Sequence, residues 1–149
     1  GFDGSTGSLL LGNEDTVIVP KASSGFSLPP VADDYVLPHG SFVNALAGRA
    51  GKGYVATESS GDVFAVDLST VPPTTIGAAH WDTQATSGNT QQLVVGCKRV
   101  ILAVGGGGGP TLFNFDRDTL EAFGGGPQVH GIIDAILVDK ADLALVGDP

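Results

Sequence analysis

The sequence is poor in several residue types, and each shortage excludes a class of protein. Its 149 residues contain one cysteine, no methionine and seven lysines and arginines against 16 aspartates and glutamates. Cys97 alone can form neither an internal disulfide nor a metal cage, so we interpret it as a small apolar core residue beside Val95. The net charge is −9 and the basic residues are scattered singly. We therefore expect no nucleic-acid partner and no binding to an anionic membrane surface.

Long hydrophobic runs are also missing. No apolar run approaches the ~20 residues of a membrane-spanning helix, and the first residues show no signal-peptide pattern. Because the chain begins at Gly1 and lacks methionine, we expect a processed or excised product, or an engineered segment. The compartment stays open, and secretion is one option for such a chain.

What is present favours a folded β protein. Apolar residues make up 42% of the chain and charged residues 15%, which suits a single domain with a core and argues against disorder. The 23 glycines and 9 prolines predict many turns and few helices. The only stretch compatible with a helix is 133–146, where the hydrophobic period is ambiguous.

The clearest local signal is residues 51–68, GKGYVATESSGDVFAVDL. An apolar strand at 54–57 leads through a polar turn into a second strand at 63–68 with alternating side chains, which predicts a β-hairpin. Similar short strands recur further along the chain. Asp67 and Asp116 each end the predicted third strand of a unit, and they are 49 residues apart.

Four-stranded units with a period of ~40–50 residues are typical of propeller blades. We predict an all-β fold of antiparallel four-stranded blades in a partial β-propeller. The approximate blades are 1–40, 41–79, 80–129 and an incomplete 130–149. A β-sandwich is the alternative, because it also has short strands at regular spacing. Since propellers close with ~4–8 blades, we expect a second chain or further copies of this one to complete the structure.

Two resemblances refine this prediction. Residues 42–68 resemble blades of six-bladed propellers of the gluconolactonase and strictosidine-synthase-like families, through Asn44, the strand 54–56 and the Val-Asp pair at 66–67. Residues 131–139, GIIDAILVD, together with glycine-rich loops, resemble the repeats of β-prism lectins of the jacalin type. The second resemblance implies a β-prism as a further alternative fold.

The propeller resemblance implies specific site residues. Asn44 falls on the asparagine that binds a divalent metal in the lactonase branch. Glu58 lies at the strand end where these families have acids facing the channel. The chain departs from the pattern at Ala45, where the families have glycine, and at His130, where they often have aspartate.

The three histidines suggest a metal site. His39, His80 and His130 are separated by 41 and 50 residues, so each precedes a predicted unit. Equivalent positions of successive blades converge near the channel, where three imidazoles form an open site for zinc or iron. The expected ligands are these histidines with Asn44, and Glu58 and His130 are the expected catalytic residues. The alternative is that the histidines are solvated in turns.

Three other features of the sequence bear on binding chemistry. Asp116 and Asp118 have the alternating spacing of calcium ligands but lack the rest of an EF-hand loop. The glycine run 105–109 does not match a phosphate-binding frame. Trp81, Tyr35 and Tyr54 are candidates for stacking on a sugar.

The sequence thus leaves two functions open. One is a metal-assisted hydrolase or lyase of the lactonase kind, with zinc, iron or calcium. The other is a non-catalytic ligand-binding or assembly subunit, lectin-like, that binds a small molecule or sugar and is completed by another chain.

Overall fold

The fold is described from a computed structural model. It covers residues 2–3, 8–9, 11–13, 15–18, 35–38, 42–58, 61–70, 72–80, 88–106, 111–128, 135–138 and 144–147. The strands are β1 (Phe2–Asp3), β2 (Ser8–Leu9), β3 (Leu11–Asn13), β4 (Thr16–Ile18), β5 (Tyr35–Val36), β6 (Val43–Arg49), β7 (Lys52–Thr57), β8 (Asp62–Asp67), β9 (Thr74–His80), β10 (Gly88–Val95), β11 (Arg99–Gly106), β12 (Thr111–Asp116), β13 (Ala122–Gln128), β14 (Ala135–Val138) and β15 (Ala144–Gly147). No α-helix occurs in these ranges. Among the described residues there is accordingly no helix that is long and apolar enough to cross a membrane.

The strands form four sheets. The N-terminal sheet has the order β3-β4-β5, the central sheet β2-β1-β6-β7-β8-β9, the third sheet β10-β11-β12-β13, and β14 and β15 form a terminal hairpin. In the central and third sheets, β6 to β9 and β10 to β13 are antiparallel meanders of four consecutive strands. The prediction of an all-β fold with antiparallel four-stranded sheets is confirmed.

Turn geometry explains where several strands begin and end. Ala50 and Gly51 join β6 to β7 with φ angles of 54° and 77°, the left-handed pair that closes a tight two-residue hairpin with the twist of its strands. Leu120 also has a positive φ, 58°, so it belongs to the turn before β13, which begins at Ala122. The helix considered for 133–146 is wrong, because β14 and β15 lie there.

The two middle strands of the central meander, β7 and β8, are buried on both faces, because successive side chains of a strand point to opposite sides and residues 53–57 and 63–66 are all buried. One face packs against the third sheet in a cluster that includes Tyr54, Val63, Leu102 and Phe115. The other face packs against the N-terminal sheet through Val55, Phe64 and Val66 with Val17, Tyr35 and Leu37. The protein therefore has two separate cores, one on each face of the central sheet. A two-sheet sandwich would leave its outer faces to solvent, and three sheets around a common centre would share one core.

The sheets stack in chain order. In the central sheet, β6 contacts β3 on one side and β10 on the other, and β10 contacts β14. A methyl group at Gly12 in β3 would lie 2.6 Å from Cγ1 of Val43, so glycine is required for this close approach. At the far edge, the hydroxyls of Tyr35 and Thr75 are 2.6 Å apart and fasten β5 to β9.

The two aspartates that end the third strands have the same structural role. Oδ1 of Asp67 accepts hydrogen bonds from the amide and hydroxyl of Ser69, at 2.8 and 2.7 Å. Oδ1 of Asp116 accepts from the amides of Asp118 and Thr119, at 2.8 and 2.9 Å. Each carboxylate therefore caps the turn that follows its strand. The same capping hydrogen bonds thus follow the third strand of each meander, at the two aspartates that mark the predicted repeat.

These caps predict a loss of stability in acid. The hydrogen bond from the Thr119 amide, followed by that from Asp118, lowers the pKa of Asp116 below its ordinary 3.8, and the Ser69 bonds lower the pKa of Asp67. A depressed pKa means that the unfolded state binds more protons, so this contribution is present above pH ~4 and is lost as the pH falls further. Urea unfolding from pH 6 to pH 2 should show a shallower decline for Asp116→Asn than for the parent protein. Equal declines would contradict the capping role.

Candidate functional site

Polar side chains gather at one end of the central and third sheets. Because neighbouring strands run in opposite directions, the start of β6, the β7–β8 turn, the end of β9 and the start of β10 share this end. We call it the polar end and define it by six residues: Phe42, Asn44, Glu58, Asp62, His80 and Thr90.

Thr90 joins the two sheets at the polar end. Thr90 is only 2% exposed, and its hydroxyl donates to the carbonyl of Thr57 at 2.8 Å. Its amide donates to the carbonyl of Glu58 at 3.4 Å, and its own carbonyl accepts from Nδ2 of Asn44. These bonds satisfy a buried polar residue and fix β10 against β6 and β7.

The same junction brings Phe42, Asn44 and Glu58 together. The amide of Glu58 donates to the carbonyl of Phe42 at 3.0 Å, and all three residues are exposed, Phe42 by 56%. Since Nδ2 of Asn44 is used by Thr90, its Oδ1 is the amide atom left to accept a ligand hydrogen or a cation. The residues that carry an aromatic ring, an amide and a carboxylate are therefore joined through Thr90 and the Phe42 carbonyl at one end of the sheets, and all three side chains are exposed.

His80 is paired with an aspartate that the sequence did not indicate. Asp62 and His80 are directly opposite in β8 and β9, and Nδ1 of His80 lies 3.1 Å from Oδ1 of Asp62. The Asp62 amide donates to Oγ1 of Thr57 at 3.1 Å, which anchors the start of β8. The His80 side chain is 62% exposed and the Asp62 side chain 24%, so the imidazole extends to solvent beside a more shielded carboxylate.

The structure brings some of the predicted site residues together and separates others. Asn44 and Glu58 meet at Thr90, whereas His80 ends β9, on the far side of β7 and β8 from Asn44. Three strand spacings of ~4.8 Å place these two backbones about 14 Å apart. His39 and His130 lie outside the described residues. Within the described ranges no group of three or more His, Cys, Asp or Glu is placed to hold a metal.

The candidate calcium ligands serve other purposes. Oδ1 of Asp116 caps its turn, and Asp118 forms ion pairs with Lys52 at 2.9 Å and with Arg117 at 3.3 Å. The hydrogen bonds from Lys52 and then Arg117 lower the pKa of the Asp118 carboxyl. Asp116 therefore stabilises the turn after β12, and Asp118 links that turn to Lys52 of the central sheet.

The basic residues are not scattered in space, and the sequence-based expectation is corrected here. Five of the seven, Arg49, Lys52, Lys98, Arg99 and Arg117, lie at the end of the sheets opposite the polar end, which we call the cationic end. In the sequence, each of the five lies in or next to a turn that joins the first to the second strand or the third to the fourth strand of its meander, and these turns fall at the same end of the sheets. The net charge of −9 still disfavours a polyanionic partner.

Two of these cations, Lys52 and Arg49, bridge the central and third sheets. Besides the Lys52–Asp118 pair, Arg49 donates to the carbonyl of Val95 at 3.5 Å and to Sγ of Cys97 at 3.2 Å. Arg99 lies over the ring of Phe123, 4.7 Å from its centre. Cys97 is therefore a half-buried acceptor in a polar contact and not the apolar core residue that we expected.

Two of the aromatic residues considered for sugar stacking are in the core. Tyr35 and Tyr54 are 6% and 0% exposed. The hydroxyl of Tyr54 donates to the carbonyl of Arg117 at 3.0 Å, and burial raises the pKa of Tyr54 to about 12. Trp81 lies outside the described residues. Phe42, which the sequence analysis did not single out, is the exposed aromatic residue of the polar end.

Comparisons with known proteins add no assignment. No family model matches the chain, and no curated protein matches it.

Proposed function

We propose that the chain is a ligand-binding module made of consecutive propeller blades, which binds a small polyhydroxylated ligand of the sugar class at its polar end. The observation that carries the proposal is the grouping of Phe42, Asn44 and Glu58, all exposed, around the buried Thr90. An aromatic face packs against the C–H face of a sugar, while amide and carboxylate oxygens accept its hydroxyl hydrogens. Asp62 and His80 extend the same row of polar groups across the sheet end.

The stacked sheets support the propeller part of the proposal. A central sheet covered on both faces, with the first strands of successive sheets in contact, is the packing expected between blades. It also agrees with the resemblance to six-bladed propellers.

Substitutions at the polar end test this function. A glycan array followed by titration calorimetry should identify a sugar ligand. Phe42→Ala and Glu58→Gln should each weaken its binding by about tenfold or more, because each removes a stacking or charged hydrogen-bonding contact. The matched control is Phe123→Ala, since Phe123 is equally exposed at 56% but lies on β13. No bound sugar, or an equal loss in the Phe123 variant, would refute the proposal.

A metal-assisted hydrolase or lyase of the lactonase kind is the second candidate. It is favoured by the meeting of Asn44 and Glu58 at one end of the sheets, as the family resemblance implies. An amide oxygen and a carboxylate oxygen suit calcium more than zinc or iron. Elemental analysis of purified protein decides: stoichiometric metal that is lost in Asn44→Ala supports this candidate, and metal-free protein that is unaffected by His130→Ala ends it.

A further inference from the structure

The outer edge of the central sheet is formed by β9. Among the described residues β9 pairs with β8 alone, and five of its seven residues are exposed while the other two are half-buried. In an antiparallel sheet every second residue of an edge strand points its amide and carbonyl away from the neighbouring strand. This edge therefore presents backbone donors and acceptors that a further strand can use.

The sequence of β9 has few of the features that protect an edge strand. Its residues TTIGAAH include no proline, lysine, arginine or carboxylate, although natural edges are commonly protected by such residues. Its one irregularity is a bulge at Ile76, between the residues opposite Ala65 and Val66. From Gly77 to His80 the strand pairs with β8 in unbroken register, so its second half is regular enough to accept another strand.

The outer edge of the third sheet is different. Its edge strand, β13, has the sequence AFGGGPQ, with three consecutive glycines and Pro127. Glycine weakens a strand, and proline has no amide hydrogen to donate to a further strand. The register of β13 with β12 also shifts twice. Of the outer edges of the two meanders, only that of β9 is therefore suited to strand addition.

Carboxylates lie beside both ends of β9. Asp62 of β8 is opposite His80, and at the other end Asp67 of β8 is opposite Thr74. Each carboxylate therefore belongs to the strand next to β9, two strand spacings or about 9.6 Å from the backbone of a strand added to the edge. Long basic side chains of an added strand can reach across β9 to them.

The charges around this edge favour a cationic partner. Neither β8 nor β9 contains lysine or arginine, and Lys52, which is opposite Asp67 in β7, forms an ion pair with Asp118 at 2.9 Å. The net charge of the chain, −9, attracts cations at longer range. A second copy of the chain is a poorer match, because it carries the same net charge and its β9 has no lysine or arginine.

We infer that β9 binds an extended cationic segment of a partner protein, which joins the central sheet as a further strand. Main-chain hydrogen bonds give affinity in this mode of recognition, and alternate side chains give selectivity. The segment has Lys or Arg about six positions apart, because the carboxylates lie beside the two ends of a seven-residue strand. The small side chains at 77–79 leave room for its apolar residues. This inference does not depend on the proposed sugar site.

Binding of synthetic peptides to the 149-residue chain tests the inference. The probe is the acetylated and amidated peptide KVTVTVK, followed by fluorescence anisotropy. A charge-reversed peptide, EVTVTVE, and KVTVTVK with two adjacent N-methylated residues should each bind at least about tenfold more weakly, because adjacent amides point to opposite edges of a strand and methylation blocks both. No saturable binding of KVTVTVK, or equal binding of the methylated peptide, would overturn the inference.

Variants of the protein locate the contact. Ala78→Lys places a charge on the exposed part of β9 and should abolish peptide binding, whereas the matched Phe123→Lys on β13 should leave it unchanged. Asp62→Asn, which leaves β9 intact, should weaken binding about two- to fivefold. Circular dichroism checks that each variant is folded. Equal binding by folded Ala78→Lys, or a dimer of the protein alone that Ala78→Lys dissociates in light scattering, would contradict the assigned partner.

Discussion

Replacing Tyr54 with alanine should destabilise the protein by about 3–5 kcal/mol, the range for truncating a large buried aromatic side chain. Tyr54 is fully buried between the central and third sheets, and its hydroxyl reaches the carbonyl of Arg117 across the interface. The substitution therefore leaves a cavity and also removes a bond between two sheets. Urea unfolding followed by circular dichroism measures the change.

Tyr54→Phe is the matched control. It keeps the ring and removes only the hydroxyl, so the expected loss is about 1 kcal/mol. If the alanine and phenylalanine variants were equally stable, the ring would not be packed between two sheets. The phenol itself should ionise near its pKa of about 12 in a spectrophotometric titration of the folded protein.

Replacing Phe64 with alanine should have a similarly large effect, about 3–5 kcal/mol, although Phe64 points to the opposite face of the central sheet. Phe64 is 5% exposed and packs with side chains of the N-terminal sheet. In a two-sheet sandwich that face would be solvated, and the substitution would change stability by less than about 0.5 kcal/mol. The size of this effect therefore distinguishes the stack from a sandwich.

Phe123→Ala is the control for Phe64→Ala. Phe123 is 56% exposed, so its truncation should be nearly neutral apart from the lost contact with Arg99. Because domain stabilities are only about 5–15 kcal/mol, Phe64→Leu, which should cost less than about 1.5 kcal/mol, keeps the series measurable. An equal effect of the Phe64 and Phe123 truncations would contradict the second core.

Local signals were sufficient for the repeated unit. The alternating side chains of β8 and the turn before it predict the β7–β8 hairpin, and Asp67 and Asp116 mark the period. Features that depend on packing were beyond the sequence. The apolar run at 133–146 fits a helix or two strands until its neighbours are known.

The candidate site was predicted in part. Asn44 and Glu58 were chosen from a resemblance, and the structure places them at one end of the sheets. Thr90 and Asp62 were missed, because a threonine that joins two sheets and an aspartate opposite a histidine are defined by strand register. The cationic end was missed for the same reason, since residues that are distant in sequence meet only once the sheets stack.

The most direct test of the stacked architecture is a set of nuclear Overhauser contacts from the two faces of the central sheet. The ring of Tyr54 should show contacts to side chains of the third sheet, and the ring of Phe64 should show contacts to Val17, Tyr35 or Leu37 of the N-terminal sheet. Contacts from both rings are predicted. A Phe64 ring without any contact to the N-terminal sheet would contradict the account.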